Sequence, residues 1–361
     1  MTGRARAVAL AAAAVLAAGC GSPNPYYDAR KPHHRPGGFA NNYGPAGGKA
    51  LSELLAWYYE RTRDGLPPAP SAHVNGYAFP VARPDVAFLR ANRDRAAVTW
   101  VGHATVLLQV AGVNVLTDPQ FSERAFPVQW YGPKRRVPPP LRLDELPHID
   151  LVVISHNHYD HLDLDTVKAL AGQPGGSPVF AVPLGVERWM RAQGIERVQA
   201  FDWWQQQALA GVDVHMVPVQ HWSARTLWDR NETLWGGWVI RAPGFSFFFA
   251  GDTGYSRDFA DIGARFGGFD LAAIPVGAYL PRWFMKDQHV DPAEAVMIHR
   301  DVKARRSIGI HWGTFELTDE PLDAPIGELP AARRAAGVPD DAFVLLRHGE
   351  TRLYPSGFET K

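Results

Sequence analysis

The stretch LVVISHNHYDHLD at residues 151–163 joins an apolar run to a cluster of side chains that bind metals. The apolar run predicts a short buried β-strand. The loop that follows it supplies His156, His158, Asp160 and His161. Because a buried strand fixes the start of this loop, the four side chains can turn inward together, and imidazole with carboxylate suits zinc, manganese or iron. The stretch therefore predicts a metal site at the end of a strand, the alternative being a chance histidine-rich turn.

Three later apolar runs end in the same types of ligand. His221 follows VDVHMVPVQ, Asp252 follows FSFFFAG and His311 follows RSIGI. A single histidine at a strand end is more often a structural residue than a ligand. Together with the first cluster, however, these residues give five histidines and two aspartates at strand ends.

Composition excludes several classes of protein. The chain has 361 residues, of which 46% are apolar and 20% are charged, so it can form a sizeable globular core. It has 37 basic and 37 acidic residues, whereas a nucleic-acid-binding protein usually carries a basic excess. One cysteine excludes a disulfide framework and a cysteine-rich zinc site.

The first twenty residues predict a secretory signal peptide. Arg4 and Arg6 precede an apolar run at residues 7–19, which at ~20 Å is too short for a bilayer core of ~30 Å. The run ends at Cys20 in a pattern that resembles a bacterial lipobox. We therefore expect a lipoprotein signal peptide at residues 1–20, a lipid on Cys20, and a location in the bacterial cell envelope, anchored at the extracytoplasmic face. The alternative is a plain signal peptide in which Cys20 is incidental.

Residues 21–95 predict an N-terminal arm and linker. Residues 21–48 are rich in proline, glycine and asparagine, which indicates a tether or an extended arm. Residues 49–64 have the apolar spacing of an amphipathic helix. Residues 65–95 hold several prolines and predict an irregular connection.

A layered α/β domain is predicted over residues 96–355. Short β-rich runs alternate with turns, and Ala111-Gly112 between the second and third runs suits a tight hairpin. Helices are predicted at residues 162–171, 184–193 and 291–304. Strands that first form hairpins and then alternate with helices indicate sheets in the middle of the domain.

The order HxHxDH, then His, Asp and His at strand ends, resembles the metallo-β-lactamase superfamily. This resemblance implies an α/β fold, a four-layer αβ/βα sandwich with a two-metal site along one edge. It implies one metal held by His156, His158 and His221, a second held by Asp160, His161 and His311, and a bridge between them formed by Asp252. An aspartate rather than a cysteine at the bridging position fits the branches that hydrolyse phosphodiesters, thioesters or lactones.

Longer segments, among them WVGHATVLLQ, ISHNHYDHLD and WFMKDQHVDP, look like the N-acylphosphatidylethanolamine-hydrolysing phospholipase D family. The arm segment ARKPHHRPGGFANN is similar to the start of that family. The resemblance implies a zinc-dependent phosphodiesterase with two Zn²⁺ per chain, which acts at a membrane surface. Its products would be phosphatidate and an N-acylethanolamine or a free head group, and the chain would form a homodimer.

The resemblance also implies roles for individual residues. Asp160 and Asp252 would be catalytic, Asp160 as both ligand and orienter of the attacking water. Tyr159 and His289 would contact the substrate, although His289 also lies where a helix cap at Asp291 is expected.

Four further residues and one segment are predicted around this site. Asp118, which follows VNVLT, has the position of a carboxylate that holds a ligand histidine, the alternative being an Asp-Pro turn. His103 is expected near the site. The aromatic segment 279–285 is expected to line the groove between metals and bilayer, extended by Trp222 and Trp312, although aromatic clusters are usually core.

Two other functions compete with this interpretation. The protein could be a related metallohydrolase of another phosphodiester or a lactone. It could also be a lipid-anchored binding protein that uses the fold without catalysis. The seven intact ligands argue against the binding protein.

Overall fold

The computed structural model describes residues 23–44, 49–66 and 77–355. The predicted signal peptide and Cys20 lie outside the described residues. Within the described part of the chain, no helix has both the length and the apolar character that crossing a bilayer requires.

The N-terminal arm contributes a small hairpin and two helices. These elements are β1 (His34–Arg35), β2 (Gly38–Phe39), α1 (Leu51–Asp64) and α2 (Val86–Ala91). Helix α1 confirms the helix predicted at residues 49–64. Helix α2 lies within the connection that was predicted to be irregular. It forms there because Asp85 caps its first turn by accepting a hydrogen bond from the backbone N–H of Phe88.

The first sheet has seven strands in the spatial order β16-β3-β4-β5-β6-β7-β8. They are β3 (Ala96–Gly102), β4 (Thr105–Val110), β5 (Val113–Thr117), β6 (Leu151–Val153), β7 (Val179–Pro183), β8 (Val198–Phe201) and β16 (Thr351–Tyr354). Strands β5 to β8 are parallel. The predicted hairpin joins β4 to β5, and Ala111 and Gly112 both have the positive φ, 48° and 78°, that a tight two-residue turn requires.

The second sheet also has seven strands, in the order β15-β14-β13-β12-β11-β10-β9. They are β9 (Gln206–Leu209), β10 (Val212–Val217), β11 (Gly237–Ala242), β12 (Phe245–Phe249), β13 (Leu271–Pro275), β14 (Ser307–Ile310) and β15 (Phe343–Leu345). Strands β12 to β15 are parallel, and β9 to β12 are antiparallel.

Helices cover the outer faces of both sheets. They are α3 (Leu164–Ala171), α4 (Val186–Ala192), α5 (Asp258–Phe266), α6 (Arg282–Met285), α7 (Pro292–Asp301) and α8 (Ala324–Ala336), with a short 3-10 turn at Leu143–Glu145. Helices α3, α4 and α7 confirm the three predicted helices. Helix α4 packs on β7 and β8, and α7 packs on β13.

Alternating side chains place each sheet between two apolar layers. Val115 of β5 packs in the core shared by the two sheets, whereas its neighbour Leu116 packs in an outer core with Val167 of α3 and Met190 of α4. The order of layers is therefore helix, sheet, sheet, helix, which confirms the predicted four-layer α/β sandwich.

The predicted ligands follow the ends of strands that meet at one edge of the sandwich. Asp118 follows β5, His156 follows β6, Asp252 follows β12 and His311 follows β14. His221 comes four residues after the end of β10. Because the carboxyl ends of parallel strands lie at the same edge of a sheet, residues far apart in sequence converge there.

The described residues of the arm pack on the sandwich. Buried Asp202 accepts hydrogen bonds from His33 Nε2 at 2.7 Å and from His34 Nε2 at 3.0 Å, and it also pairs with Lys31. Phe39 belongs to the main apolar core. Residues 23–44 are thus an arm held against the sandwich.

Candidate metal centre

Three histidine nitrogens converge in the first ligand group. His156 Nε2 lies 2.8 Å from His158 Nδ1, which lies 3.4 Å from His221 Nε2. Ligand atoms ~2.1 Å from a tetrahedral zinc ion lie ~3.4 Å from one another. The three nitrogens therefore have nearly the spacing of a shared metal ion, and they are the three residues predicted to hold one.

Two histidines and two carboxylates form the second group. His161 Nε2 and His311 Nε2 each lie 3.1 Å from Asp252 Oδ2 and 3.3 Å from Asp160 Oδ2. All four residues are buried. The other Asp252 oxygen, Oδ1, has no hydrogen-bond partner among the described residues, so its lone pairs are free to coordinate a metal ion.

Asp118 and Ser155 orient the ligand histidines beside them. Asp118 accepts from His161 Nδ1 at 2.6 Å and from the backbone N–H of Ser155 at 2.6 Å, and it also accepts from the Ser155 hydroxyl. The same hydroxyl oxygen lies 2.9 Å from His156 Nδ1. These bonds place the ring protons on Nδ1 of both histidines and leave each Nε2 lone pair directed into the centre. The structure thus places Asp118 where the sequence predicted it, against a ligand histidine.

His221 is oriented by two distant parts of the chain. Its Nδ1 lies 3.0 Å from the carbonyl oxygen of Gln288, and its backbone N–H donates to Asn41 Oδ1 at 3.1 Å. Asn41 Oδ1 also accepts from Trp235 Nε1 at 3.1 Å. The arm therefore helps to position a metal ligand, a role that the sequence did not indicate.

Opposite charges balance within the second group. Burial disfavours the charged form of His161, but Asp252, Asp160 and Asp118 together raise its pKa well above the usual value. Burial lowers the pKa of His311 as well, but Asp252 and Asp160 outweigh it and raise this pKa to about 9. A metal cation would take the place of these protons, since a ligand histidine must be neutral.

The residues of both groups fit metal ions. Three imidazole nitrogens that face one another cannot all be satisfied by the few protons they carry, whereas a cation accepts all three lone pairs. Nitrogen and carboxylate oxygen are also the donors that zinc prefers when cysteine is absent. The buried Asp252 oxygen without a hydrogen-bond partner among the described residues leaves this carboxylate a free ligand atom, as the predicted bridge requires.

His103 lies closer to the centre than the sequence indicated. Its Nε2 lies 2.9 Å from Asp160 Oδ2, and the centroid of its ring lies 4.0 Å from the centroid of the His311 ring. His103, Asp118 and His311 all have positive φ, of 52°, 32° and 61°. Such backbone geometry in residues other than glycine is costly and is maintained only where surrounding contacts require it, as at functional sites.

A groove of about 270 Å³ opens onto the metal ligands. His158, Asp160 and Asp252 line it together with apolar and aromatic side chains, among them Leu54, Trp57, Trp222, Phe284 and Met285. The ring of Phe284 stacks on Trp57 with centroids 4.8 Å apart.

The aromatic segment divides between groove and core. Phe284 and Met285 are buried, yet they line the groove, whereas Trp283 is 47% exposed. Trp222 lines the groove as expected. Trp312 does not extend this surface, because it is buried against Trp100 on the core side, with ring centroids 5.2 Å apart.

The two residues predicted to contact substrate occupy different places. His289 lines the groove, with Nδ1 3.8 Å from Asp252 Oδ2. Asp291 nearby caps α7 by accepting from the backbone N–H of Glu294 at 2.9 Å, which confirms the predicted helix cap. The contact of His289 with substrate stays a prediction. The Tyr159 hydroxyl instead donates to the carbonyl oxygen of Arg225 at 2.8 Å, outside the groove, and its contact with substrate stays a prediction.

Comparison with known proteins assigns the family of this fold and site. Residues 113–312 match the family described as the beta-lactamase superfamily domain. The chain belongs to this superfamily. It is 43% identical over 267 residues to N-acyl-phosphatidylethanolamine-hydrolyzing phospholipase D 1 of Caenorhabditis elegans, a match that covers 70% of this chain and 74% of that protein.

Two further comparisons extend this assignment. The chain is 40% identical over 338 residues to an uncharacterized protein of Mycobacterium tuberculosis, covering 91% of this chain and 86% of that one. The structure resembles a metallo hydrolase of Ignicoccus hospitalis with a TM-score of 0.56 at 20% identity, covering 73% of this chain and 99% of that chain. The protein is thus a metal-dependent hydrolase of the metallo-β-lactamase superfamily, as the sequence predicted.

Proposed function

We propose that the protein is a zinc-dependent phosphodiesterase of the phospholipase D type. Its substrate would be N-acylphosphatidylethanolamine or a similar phospholipid, cleaved to phosphatidate and an N-acylethanolamine. The observation that carries this proposal is the groove, in which two groups of metal ligands meet walls of apolar side chains. A phosphodiester between acyl chains has the same combination of a charged centre and apolar arms.

The walls of the groove suit acyl chains. Trp57, Phe284 and Met285 form a small apolar cluster of their own, supported by Leu54 and separate from the two large cores. A methionine beside stacked aromatic rings adapts to flexible chains more readily than branched residues do.

Cationic side chains stand where a phosphate would enter. Lys49 and Arg230 both line the groove, and Arg230 Nη1 donates to the Lys49 carbonyl oxygen at 3.0 Å. The Arg230 guanidinium also stacks over the ring of Trp222, 5.0 Å from its centroid. A guanidinium fixed in this way presents several N–H donors to phosphoryl oxygens.

The chemistry of the proposed reaction divides between metal and protein. Two Zn²⁺ ions, one in each ligand group with Asp252 between them, would supply water of lowered pKa and stabilise charge on phosphoryl oxygens. The Asp160 carboxylate can orient the attacking water, and His103 Nε2 fixes that carboxylate through Oδ2 at 2.9 Å. His289 can orient the phosphoryl group by donating a ring N–H from the groove wall.

The test compares head-group release from N-acylphosphatidylethanolamine and from plain phosphatidylethanolamine, in vesicles of the same carrier lipid. We expect N-acylethanolamine from the first substrate, loss of activity with a chelator and recovery with Zn²⁺. Asp252→Asn should lose at least about a hundredfold in kcat, because the neutral amide cannot supply the charge that balances two cations.

The outcomes separate the competing functions. Turnover of a soluble phosphodiester or a lactone without release from either phospholipid would favour the related metallohydrolase. Tight metal binding without turnover of any of these substrates would favour a binding protein.

We also propose, on the sequence, that Cys20 carries a lipid and attaches the protein to the cell envelope. Two or three acyl chains anchor a protein stably, whereas one chain does so only marginally. Mass spectrometry of the mature N-terminus should show a lipid-modified Cys20. An unmodified Cys20 would contradict the anchor.

A further inference from the structure

Two loops beside the groove expose large apolar side chains at their tips. Trp130 is 80% exposed and Tyr131 is 62% exposed in one loop. Leu227 is 88% exposed and Trp228 is 85% exposed in the other. We call these four residues the loop tips. Clusters of exposed large apolar residues beside a binding site usually mark a surface that meets a partner or a membrane.

Both loops are closed by their own hydrogen bonds, so the tips are displayed in fixed positions. Asp229 Oδ1 accepts from the backbone N–H groups of Arg225 at 3.0 Å and Thr226 at 2.8 Å. In the other loop, Arg124 donates to the carbonyl oxygens of Gln129 at 3.1 Å and Gly132 at 2.6 Å. The fold therefore holds these apolar side chains in water.

Both loops lie close to Tyr159, the residue between the predicted ligands His158 and Asp160. The guanidinium of Arg225, at the base of one loop, lies 4.0 Å from the centroid of the Tyr159 ring. In the other loop, the centroid of the Phe126 ring lies 6.1 Å from the centroid of the Tyr159 ring and 5.3 Å from that of the Tyr131 ring. The loop tips thus flank the metal edge of the sandwich.

The described arm begins near the same place. Asn24 is buried, and its side-chain amide donates to the Gly38 carbonyl oxygen at 2.7 Å. Pro23 and Asn24 share a pocket with Trp189 of α4. The Arg225 guanidinium lies 4.4 Å from the centroid of the Trp189 ring. The start of the arm and the loop at residues 225–229 are therefore neighbours.

Chain length then limits where the bilayer can be. Three residues separate Cys20 from Asn24, so the two are four residue steps apart, and a fully extended chain spans at most ~14 Å over four steps. If Cys20 carries the anchor, the bilayer surface lies within this distance of Asn24. A tether of this length keeps the start of the arm, and the neighbouring loop at residues 225–229, close to that bilayer.

We propose that the loop tips dock on the leaflet that carries the lipid of Cys20, and that the enzyme takes its phospholipid substrate from that leaflet. Tryptophan and tyrosine favour the head-group region of a bilayer, and leucine can enter the acyl region below it. The choice of substrate leaflet rests on the proposed function, whereas the docking of the loop tips does not.

The first test measures the depth of the tips without using hydrolysis. Cys20 is the only cysteine, so Trp130→Cys and Trp228→Cys can each carry one environment-sensitive fluorophore in the full lipoprotein, with Ile326→Cys on α8 as control. In phosphatidylethanolamine–phosphatidylglycerol vesicles that contain brominated lipid, we expect quenching at both tips at least about twofold stronger than at position 326.

Three results would overturn the docking. The first is equal quenching at the tips and at position 326. The second is a spectral shift at the tips that needs no vesicles and grows with protein concentration, which would assign the surface to a second copy of the chain. The third is labelling of the unsubstituted protein, which would show that Cys20 is not lipidated.

The second test mixes vesicles. Vesicles that carry both the lipoprotein and substrate are compared with a mixture of lipoprotein vesicles and separate substrate vesicles. We expect hydrolysis at least about tenfold faster in the first case, and an inserted Gly/Ser linker of about 30 residues between Ser22 and Pro23 should reduce this ratio. Equal rates would contradict the leaflet assignment. Hydrolysis in neither case would contradict the proposed function, and the probe depths then decide the docking alone.

Discussion

At the scale of single residues, the metal centre depends on side chains that would not touch a metal ion. Asp118 fixes the tautomer of His161 and binds Ser155, which in turn binds His156. One carboxylate therefore orients a ligand in each group. Loss of such a residue acts on metal affinity through the orientation of the ligand histidines.

Asp118→Asn should weaken zinc binding by about 10- to 100-fold. The carboxylate accepts hydrogen bonds from both Ser155 and His161, whereas the amide has only one acceptor oxygen and no charge. Competition with a chromophoric chelator measures this affinity. Asp270→Asn is the matched control, because Asp270 Oδ2 also accepts from the backbone N–H and hydroxyl of one serine, Ser246, but orients no histidine. Equal affinities in the two variants would contradict the role of Asp118.

His348 predicts a pH dependence of stability. Burial, with Arg135 as a smaller cause, lowers the pKa of His348 to about 3. A histidine with a lowered pKa in the folded state favours unfolding as the pH falls below ~6.5, at ~1.4 kcal/mol per pH unit. His348 thus stabilises the fold fully above that pH and progressively less below it.

His348→Gln should remove this contribution while keeping a hydrogen-bond partner for Thr314. Urea titrations give the free energy of unfolding at about pH 7.5 and pH 5.5, and the drop between them should be ~1.4 kcal/mol smaller in the variant. An unchanged drop would show that His348 does not contribute.

The metal ligands were predictable because each follows an apolar run, so their convergence is a consequence of strand order. Asp118 was predictable for the same reason. Asn41 was not, since it reaches His221 across 180 residues of sequence and nothing local marks it. His103 was expected near the site, but its contact with Asp160 depends on a positive φ that the sequence does not reveal.

At the scale of elements, the arm acts as part of the site. The hairpin β1–β2 is held by Asp202, and the residues that follow it reach the backbone of His221. Release of the hairpin from the sandwich should therefore also loosen the predicted metal ligand His221.

Asp202→Asn should destabilise the protein by about 1–3 kcal/mol, because it removes a buried charge that pairs with His33, His34 and Lys31. Trypsin should then cleave faster after Arg30, since Lys31 and Arg35 both precede proline and are not tryptic sites. Mass spectrometry of early fragments detects this cleavage. Asp213→Asn, at an exposed position of β10, is the control. The same early fragments at the same rate in both variants would contradict the role of Asp202.

The elements that the sequence failed to predict have weak periodic patterns. Strand β9 reads QQAL and is largely exposed, so it lacks the apolar signal of a strand. Helix α8 contains Pro330 within its length, and proline normally argues against a helix interior. Strand β15 and strand β16 are short edge strands whose partners lie far away in the sequence.

The burial of the aromatic segment shows the same limit. Phe284 and Met285 pack against α1, a helix more than 200 residues earlier in the chain, while Trp283 beside them is half-exposed. Composition predicted an apolar surface near the metals, but only the packing of α1 decides which of the three side chains line the groove.

At the scale of the whole molecule, the sandwich brings a charged centre, an apolar groove and exposed loop tips to one edge. The core between the sheets keeps this edge rigid, since strands of both sheets contribute buried residues to one cluster. A lipid phosphodiester lies below the surface of a bilayer, so an enzyme that hydrolyses it needs all three features on the same side.

In the proposed reaction, water attacks phosphorus in N-acylphosphatidylethanolamine. The most direct measurement is mass spectrometry of the products after hydrolysis by the zinc-loaded protein in oxygen-18 water. Attack of water at phosphorus gives phosphatidate that carries one heavy oxygen and N-acylethanolamine that carries none. Heavy oxygen in a released fatty acid or in the N-acylethanolamine, or no product from zinc-loaded protein, would contradict it.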